Sequence, residues 1–202
     1  MIISNKKLKV EFFKEPNYVN ERSTELEKIF KEFKSFFALE EVDIEASFCA
    51  PEEIQKINKQ FRHKNKTTNV LSFPDKDLTK ISNTCIGEIL ICNDVLEKES
   101  IEQNKNVFDH FVHLIIHSML HVVGYGHEAP NDAILMENKE VKFLSQIGIL
   151  PIKRMPWGCP PPIIFLTACL PKGVLKEPLS DPSPYFDEEI LYSFISLPES
   201  VR

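Results

Sequence analysis

No run of about 18 consecutive apolar residues occurs in the 202-residue chain, and this excludes a membrane-spanning helix. Basic charge is not in excess either. Lys and Arg number 24 against 30 Asp and Glu, the net charge is −6 and the pI is near 5.6. Bulk charge therefore does not point to a polyanion binder, and any such contact must come from a local basic patch. The first residues, MIISNKKLKVEFFKE, lack the basic end followed by an apolar run that marks a secretion signal, so they are expected to form part of the fold. Cysteine is sparse: Cys49, Cys85, Cys92, Cys159 and Cys169 are odd in number and show no tight metal-type spacing. Buried or free thiols in a reducing compartment, hence a cytoplasmic location, are the expectation. No internal repeat is visible.

What is present supports a core, since 43% of the residues are hydrophobic. Residues 7–13 (KLKVEFF) alternate and predict a strand. Residues 22–37 change period, with Leu26, Ile29, Phe30, Phe33 and Phe37 recurring at three and four, which predicts an amphipathic helix. Residues 42–49 alternate again. Pro51 suits the first turn of a short helix through Phe61, because its missing N–H needs no partner there. A polar loop, residues 62–69, leads to a short edge strand closed by Pro74. Residues 86–92 predict a further strand. Residues 93–123 predict two helices broken around Asn104–Lys105, with Gly124 as a left-handed cap. A last helix is expected over 131–147.

Together these predict an α/β fold of α+β character: a small mixed sheet of about four strands packed with about five helices, one of them a metal-binding helix over the sheet. Ten of the 14 prolines lie in residues 151–202. A globular unit over 1–154 and a Pro-rich, partly disordered extension over 155–202 are expected.

The chemistry is concentrated in HLIIHSMLHVVGYGH, residues 113–127. His117 and His121 are four apart, about 40° around a helix, so both imidazoles leave one face. Gly124 and Gly126 flank Tyr125 and let the chain turn His127 back towards that face. Three imidazoles at about 2.0–2.1 Å from one Zn²⁺ leave a fourth tetrahedral position for water. His110 and His113 fall near the same face and are expected to serve through hydrogen bonding or packing rather than as ligands. A zinc peptidase of the H-E-x-x-H type needs Glu after its first His, and here that position is Ser118.

The H-x3-H-x5-H spacing resembles the YbeY family of bacterial endoribonucleases. Two other stretches carry the same resemblance. Ile57-Asn58-Lys59-Gln60-Phe61-Arg62 followed by Thr67-Thr68-Asn69-Val70-Leu71-Ser72-Phe73-Pro74 is similar to the family's L-N-x-x-[YF]-R … P-T-D-V-L-S-F-P, and Gly87-Glu88-Ile89 is similar to its G-D-I strand. The likeness covers about residues 5–153. It departs at Ser118, Asn69 and Gly126, where the family has Gly, Asp and Asp.

The resemblance implies a metal-dependent endonuclease cutting single-stranded RNA, acting in maturation of the 3′ end of small-subunit rRNA and in ribosome quality control. Its implied metal ligands are His117, His121 and His127, holding one Zn²⁺ per chain, and catalysis is expected to depend on Arg62 and His117. Single-stranded RNA and the small ribosomal subunit are the implied partners; neither DNA nor a membrane is expected. Two alternatives stay open: a ribosome-assembly binding factor with a structural zinc, which a fourth protein ligand such as His113 would favour, and a zinc peptidase without the usual Glu. Lys64 and Lys66, with His63 between them, are either an RNA-steering patch or a solvated loop. Phe61 and Phe73 are expected in the core.

Overall fold

A computed structural model describes residues 1–75 and 83–149. The expected extension over 155–202, with Cys159 and Cys169, lies outside the described residues. Five strands are found: β1 (Ile2–Asn5), β2 (Leu8–Phe13), β3 (Glu41–Phe48), β4 (Val70–Pro74) and β5 (Thr84–Ile91). Six helices accompany them among the described residues: α1 (Asn17–Glu21), α2 (Ser23–Phe36), α3 (Pro51–Arg62), α4 (Asn93–Glu102), α5 (Val107–Val123) and α6 (Pro130–Gln146). The strands form one sheet in the order β1-β2-β3-β5-β4. The inner pairs β2–β3 and β3–β5 are parallel, and the outer pairs β1–β2 and β4–β5 are antiparallel, so the sheet is mixed as expected.

The extra strand is β1. It folds back on β2 through Lys6 and Lys7, with Asn5 pairing Leu8, Lys7 at φ 56° and the Asn5 side chain accepting from the Lys6 N–H. Only Ile3 of β1 is buried, so the strand leaves almost no alternation to read. The short α1 has the same cause, since Val19 is its one buried residue. The break expected at Asn104–Lys105 falls between α4 and α5, with Asn104 at φ 50° and Asn106 capping α5 through its side chain at 2.9 Å from Phe108 N.

Alternation decides which face of the sheet is covered. Leu8, Val10 and Phe12 of β2, Val42, Ile44, Ala46 and Phe48 of β3, and Cys85, Ile89 and Ile91 of β5 point into one core. The apolar stripes of α2, α5 and α6 close it, with Phe30, Phe111 and Phe143 fully buried. Each such ring contributes roughly 1.5–3 kcal/mol by leaving water. On the other face α3 covers only the β4 end, where Ile54 meets Leu71 and Cys92. The rest of that face carries Lys9, Glu11, Asp43, Glu45 and Glu88, and the register aligns Glu11, Glu45 and Glu88 across three strands. Lys9, 3.1 Å from Glu11 and 3.8 Å from Asp43, offsets part of that charge.

Helix α5 lies close on β4 and β5. A Cβ at Gly87 of β5 would fall 2.5 Å from the Phe73 carbonyl oxygen and 3.2 Å from Val122 Cγ1, so this position requires glycine. Val122 is the residue after His121, and the tight packing therefore fixes the histidine helix against the edge of the sheet.

Candidate metal centre

Helix α5 carries His113, His117 and His121 at four-residue spacing. Gly124 ends it in the left-handed region at φ 111°, as expected, and the Tyr125 N–H returns to the Leu120 carbonyl at 3.0 Å. Gly126 takes no such conformation and lies in open space, so the turn rests on Gly124 alone. The turn brings the His127 ring to 4.9 Å from that of His121 and 6.0 Å from that of His117. One ligand atom from each of His117, His121 and His127 lies within 4.8 Å of the others, a group able to hold a metal ion.

Hydrogen bonding decides how two of these rings present themselves. His121 Nδ1 is 3.0 Å from the Tyr125 carbonyl oxygen, which can only accept, so Nδ1 carries the proton. His117 Nδ1 is 3.0 Å from Glu140 Oε1 of α6. Burial alone would raise the Glu140 pKa, but hydrogen bonds from His113 and His117 hold it down at about 2. The carboxylate is therefore ionised and His117 Nδ1 is also the donor. With both rings neutral, their Nε2 atoms present lone pairs 3.1 Å apart. Tetrahedral coordination at 2.0–2.1 Å sets neighbouring ligand nitrogens about 3.3–3.4 Å apart, so a zinc-sized cation fits between them. Burial, helped by the nearby His117, lowers the His121 pKa to about 4, which keeps this ring neutral and ready to coordinate.

Glu140 was not singled out by the sequence. It lies 23 residues beyond His117, on another helix, with no motif to link the two. It orients His117 in the way that carboxylates commonly orient metal-binding imidazoles. His113 shares it, with Nε2 3.3 Å from Oε1, and stands outside the three-histidine group. His110 is buried and pairs with Glu99 at 3.0 Å. Both therefore act through hydrogen bonds, as expected. Glu99 also accepts from Asn69 Nδ2 at 3.0 Å. An aspartate at position 69 would set a second carboxylate against Glu99, which accounts for the amide here. Ser118 is fully buried, and its hydroxyl has no partner among the described residues, so it offers no base where a zinc peptidase has its glutamate.

Arg62 ends α3 and is exposed, and its guanidinium is among the charges that depress the His121 pKa. It thus lies within electrostatic reach of His121. His63 follows in the left-handed region at φ 56°, and the loop beyond exposes Lys64 and Lys66. Buried Asn58 pins that loop, donating to the Lys66 carbonyl at 2.7 Å and accepting from the Lys64 N–H at 3.3 Å. Phe73 is half-buried, whereas Phe61 is 60% exposed, contrary to the expectation that it would lie in the core. The three described cysteines carry free thiols; Cys85 and Cys92 are buried, and burial raises the Cys49 pKa to about 11, leaving it unreactive. No helix among the described residues is long and apolar enough to cross a membrane.

Fold and site together define an α/β protein with a three-histidine group, able to hold a metal ion, at the end of a sheet-packed helix. The chain belongs to the YbeY family: the family model described as endoribonuclease YbeY matches residues 4–148. It is similar to endoribonuclease YbeY of Francisella philomiragia, 41% identical over 128 residues that cover 61% of this chain and 81% of that one. It is also similar to endoribonuclease YbeY of Francisella tularensis subsp. novicida, 43% identical over 111 residues covering 53% and 68% of the two chains. A solution structure from Thermotoga maritima matches with 24% identity and a TM-score of 0.48, covering 68% of this chain and 88% of that one.

Proposed function

We propose that this chain is a zinc-dependent endoribonuclease that cuts single-stranded RNA, acting in the cytoplasm on the 3′ end of small-subunit rRNA and in ribosome quality control. The small ribosomal subunit is its partner. Residues 1–154 form the catalytic unit and 155–202 a Pro-rich extension. The observation that carries this reading is the pair of Nε2 lone pairs facing each other at 3.1 Å, with both Nδ1 protons already committed.

His117, His121 and His127 hold the ion. Zn²⁺ bound there supplies a Lewis acid and lowers the pKa of water towards 7. Glu140 and the Tyr125 carbonyl keep two of the rings in the coordinating tautomer, so the site is organised before substrate arrives. Arg62 grips the scissile phosphate through its planar fork and stabilises negative charge as it develops. Lys64 and Lys66 attract the RNA backbone from the same loop.

The test is to measure bound metal and to incubate the protein with matched single-stranded and duplex RNA, with His121→Ala, Arg62→Ala and chelator-treated protein as controls. Cutting of the single strand alone is expected, lost on chelation. Stoichiometric zinc without cutting above the His121→Ala background would sink the catalytic role and leave a ribosome-assembly binding factor.

A further inference from the structure

We infer that Phe61 is a stacking platform for one unpaired base of the substrate, beside the phosphate held by Arg62. This rests on RNA being the substrate, as proposed above. Phe61 is 60% exposed at the end of α3. A lone exposed apolar residue is ordinary, but this ring is held in place. It stands T-shaped against Phe73 of β4, with centroids 5.3 Å apart. The Phe73 carbonyl in turn meets the Gly87 site, where Val122, the neighbour of His121, also arrives. Strand β4 therefore carries Phe73 against Phe61 on one face and packs against the histidine helix on the other. Its sequence neighbours Arg62, His63, Lys64 and Lys66 are exposed and basic or titratable, the charge that a polyphosphate strand seeks.

An aromatic ring beside a basic track binds single strands because every base offers a π-face, whatever the sequence. A base within a duplex is already stacked on both sides and cannot offer one. Phe61 thereby selects for unpaired RNA, while Arg62 and the histidines select the bond.

The experiment compares Phe61→Leu and Phe61→Trp with wild type in the metal-loaded full chain. A single-stranded RNA is used, intact or with one abasic position moved along it. A second arm photo-crosslinks 5-iodouridine RNA to the protein and maps the linked residue by peptide mass spectrometry. Phe61→Leu should raise KM roughly 5- to 150-fold, the range for one base–aromatic stack, with kcat and zinc content unchanged. Phe61→Trp should restore KM. One abasic position should reproduce the loss in wild type and leave Phe61→Leu indifferent, and the crosslink should map to Phe61. An unchanged KM in Phe61→Leu overturns the inference while the nuclease role stands. So does a loss that Phe61→Trp fails to restore, which marks a packing role. If wild type cuts no RNA, the crosslink still decides: linkage at Phe61 keeps the platform and sinks the nuclease, and no linkage sinks both.

Discussion

The two sides of the site are built in opposite ways. On the α5–α6 side, His117 and His121 are each fixed by a helix and by a hydrogen bond of 3.0 Å from Nδ1, and the acid that holds His117 is itself buried. On the α3–β4 side, Phe61, Arg62, Lys64 and Lys66 are exposed; Asn58 pins the backbone of their loop and Phe73 backs the Phe61 ring. A metal ion tolerates errors of a few tenths of an ångström in its ligands and so needs the first kind of construction. A flexible polymer adapts to its partner and needs only charge and an open face. Under the proposed function, the difference teaches which substitutions should touch the metal and which should touch only the substrate.

The largest expected effect separates the two sides outright. His121→Ala should abolish both zinc binding and cutting, whereas Arg62→Ala should keep full zinc content and cut at least about 100-fold more slowly, as for loss of a charge-stabilising donor. Metal analysis and single-turnover kinetics on both variants check this, and zinc loss in Arg62→Ala would merge the two sides. Glu140→Gln should weaken zinc affinity by about 10- to 100-fold, read by chelator competition, because His117 loses its anionic partner. The contact between the sides is open to a third change. Gly87→Ala drives a methyl group into the Phe73 carbonyl and Val122, and should cost about 1–3 kcal/mol in urea denaturation.

A smaller effect lies at the tie joining residue 69 to α5 through Glu99. Glu99→Ala leaves His110 Nε2 and Asn69 Nδ2 without their acceptor, at a cost of about 1–2 kcal/mol at pH 7. The hydrogen bond from His110, aided by Asn69 and opposed by burial, lowers the Glu99 pKa below its ordinary 4.5. Its contribution is therefore full above about pH 4.5 and is lost as pH falls through the depressed value. Denaturation of wild type and variant at pH 7 and pH 3 should show the gap narrowing in acid. A gap that widens would contradict the assignment.

Much of this was legible in the sequence because it was local. The spacing of His117, His121 and His127, the cap at Gly124 and the break near Asn104 each depend on a few consecutive residues, and each is found where the spacing put it. Glu140 was not legible, because the contact joins two helices that only the tertiary fold brings side by side. Phe61 misled for a related reason. Ile54, Ile57 and Phe61 recur at helical spacing and suggest one buried stripe, yet burial falls from Ile54 to Phe61. The strand beneath α3 is β4, at the sheet's edge, so the last turn of the helix has no further strand to cover. Nothing in a stripe of apolar residues tells how wide the sheet beneath it is.

The sheet itself tapers. Its central strands β3 and β5 are eight residues long, while the rims β1 and β4 have four and five, and β4 closes on Pro74, which has no N–H to offer. Long, flat rims are templates on which a second chain can add a strand, and short or proline-ended ones are poor templates. At either rim of the sheet formed by the described residues, a second copy would find at most four or five residues to pair with, too few to seed a growing ladder. The same taper that leaves Phe61 uncovered thus guards the protein, at high concentration, against edge-to-edge aggregation.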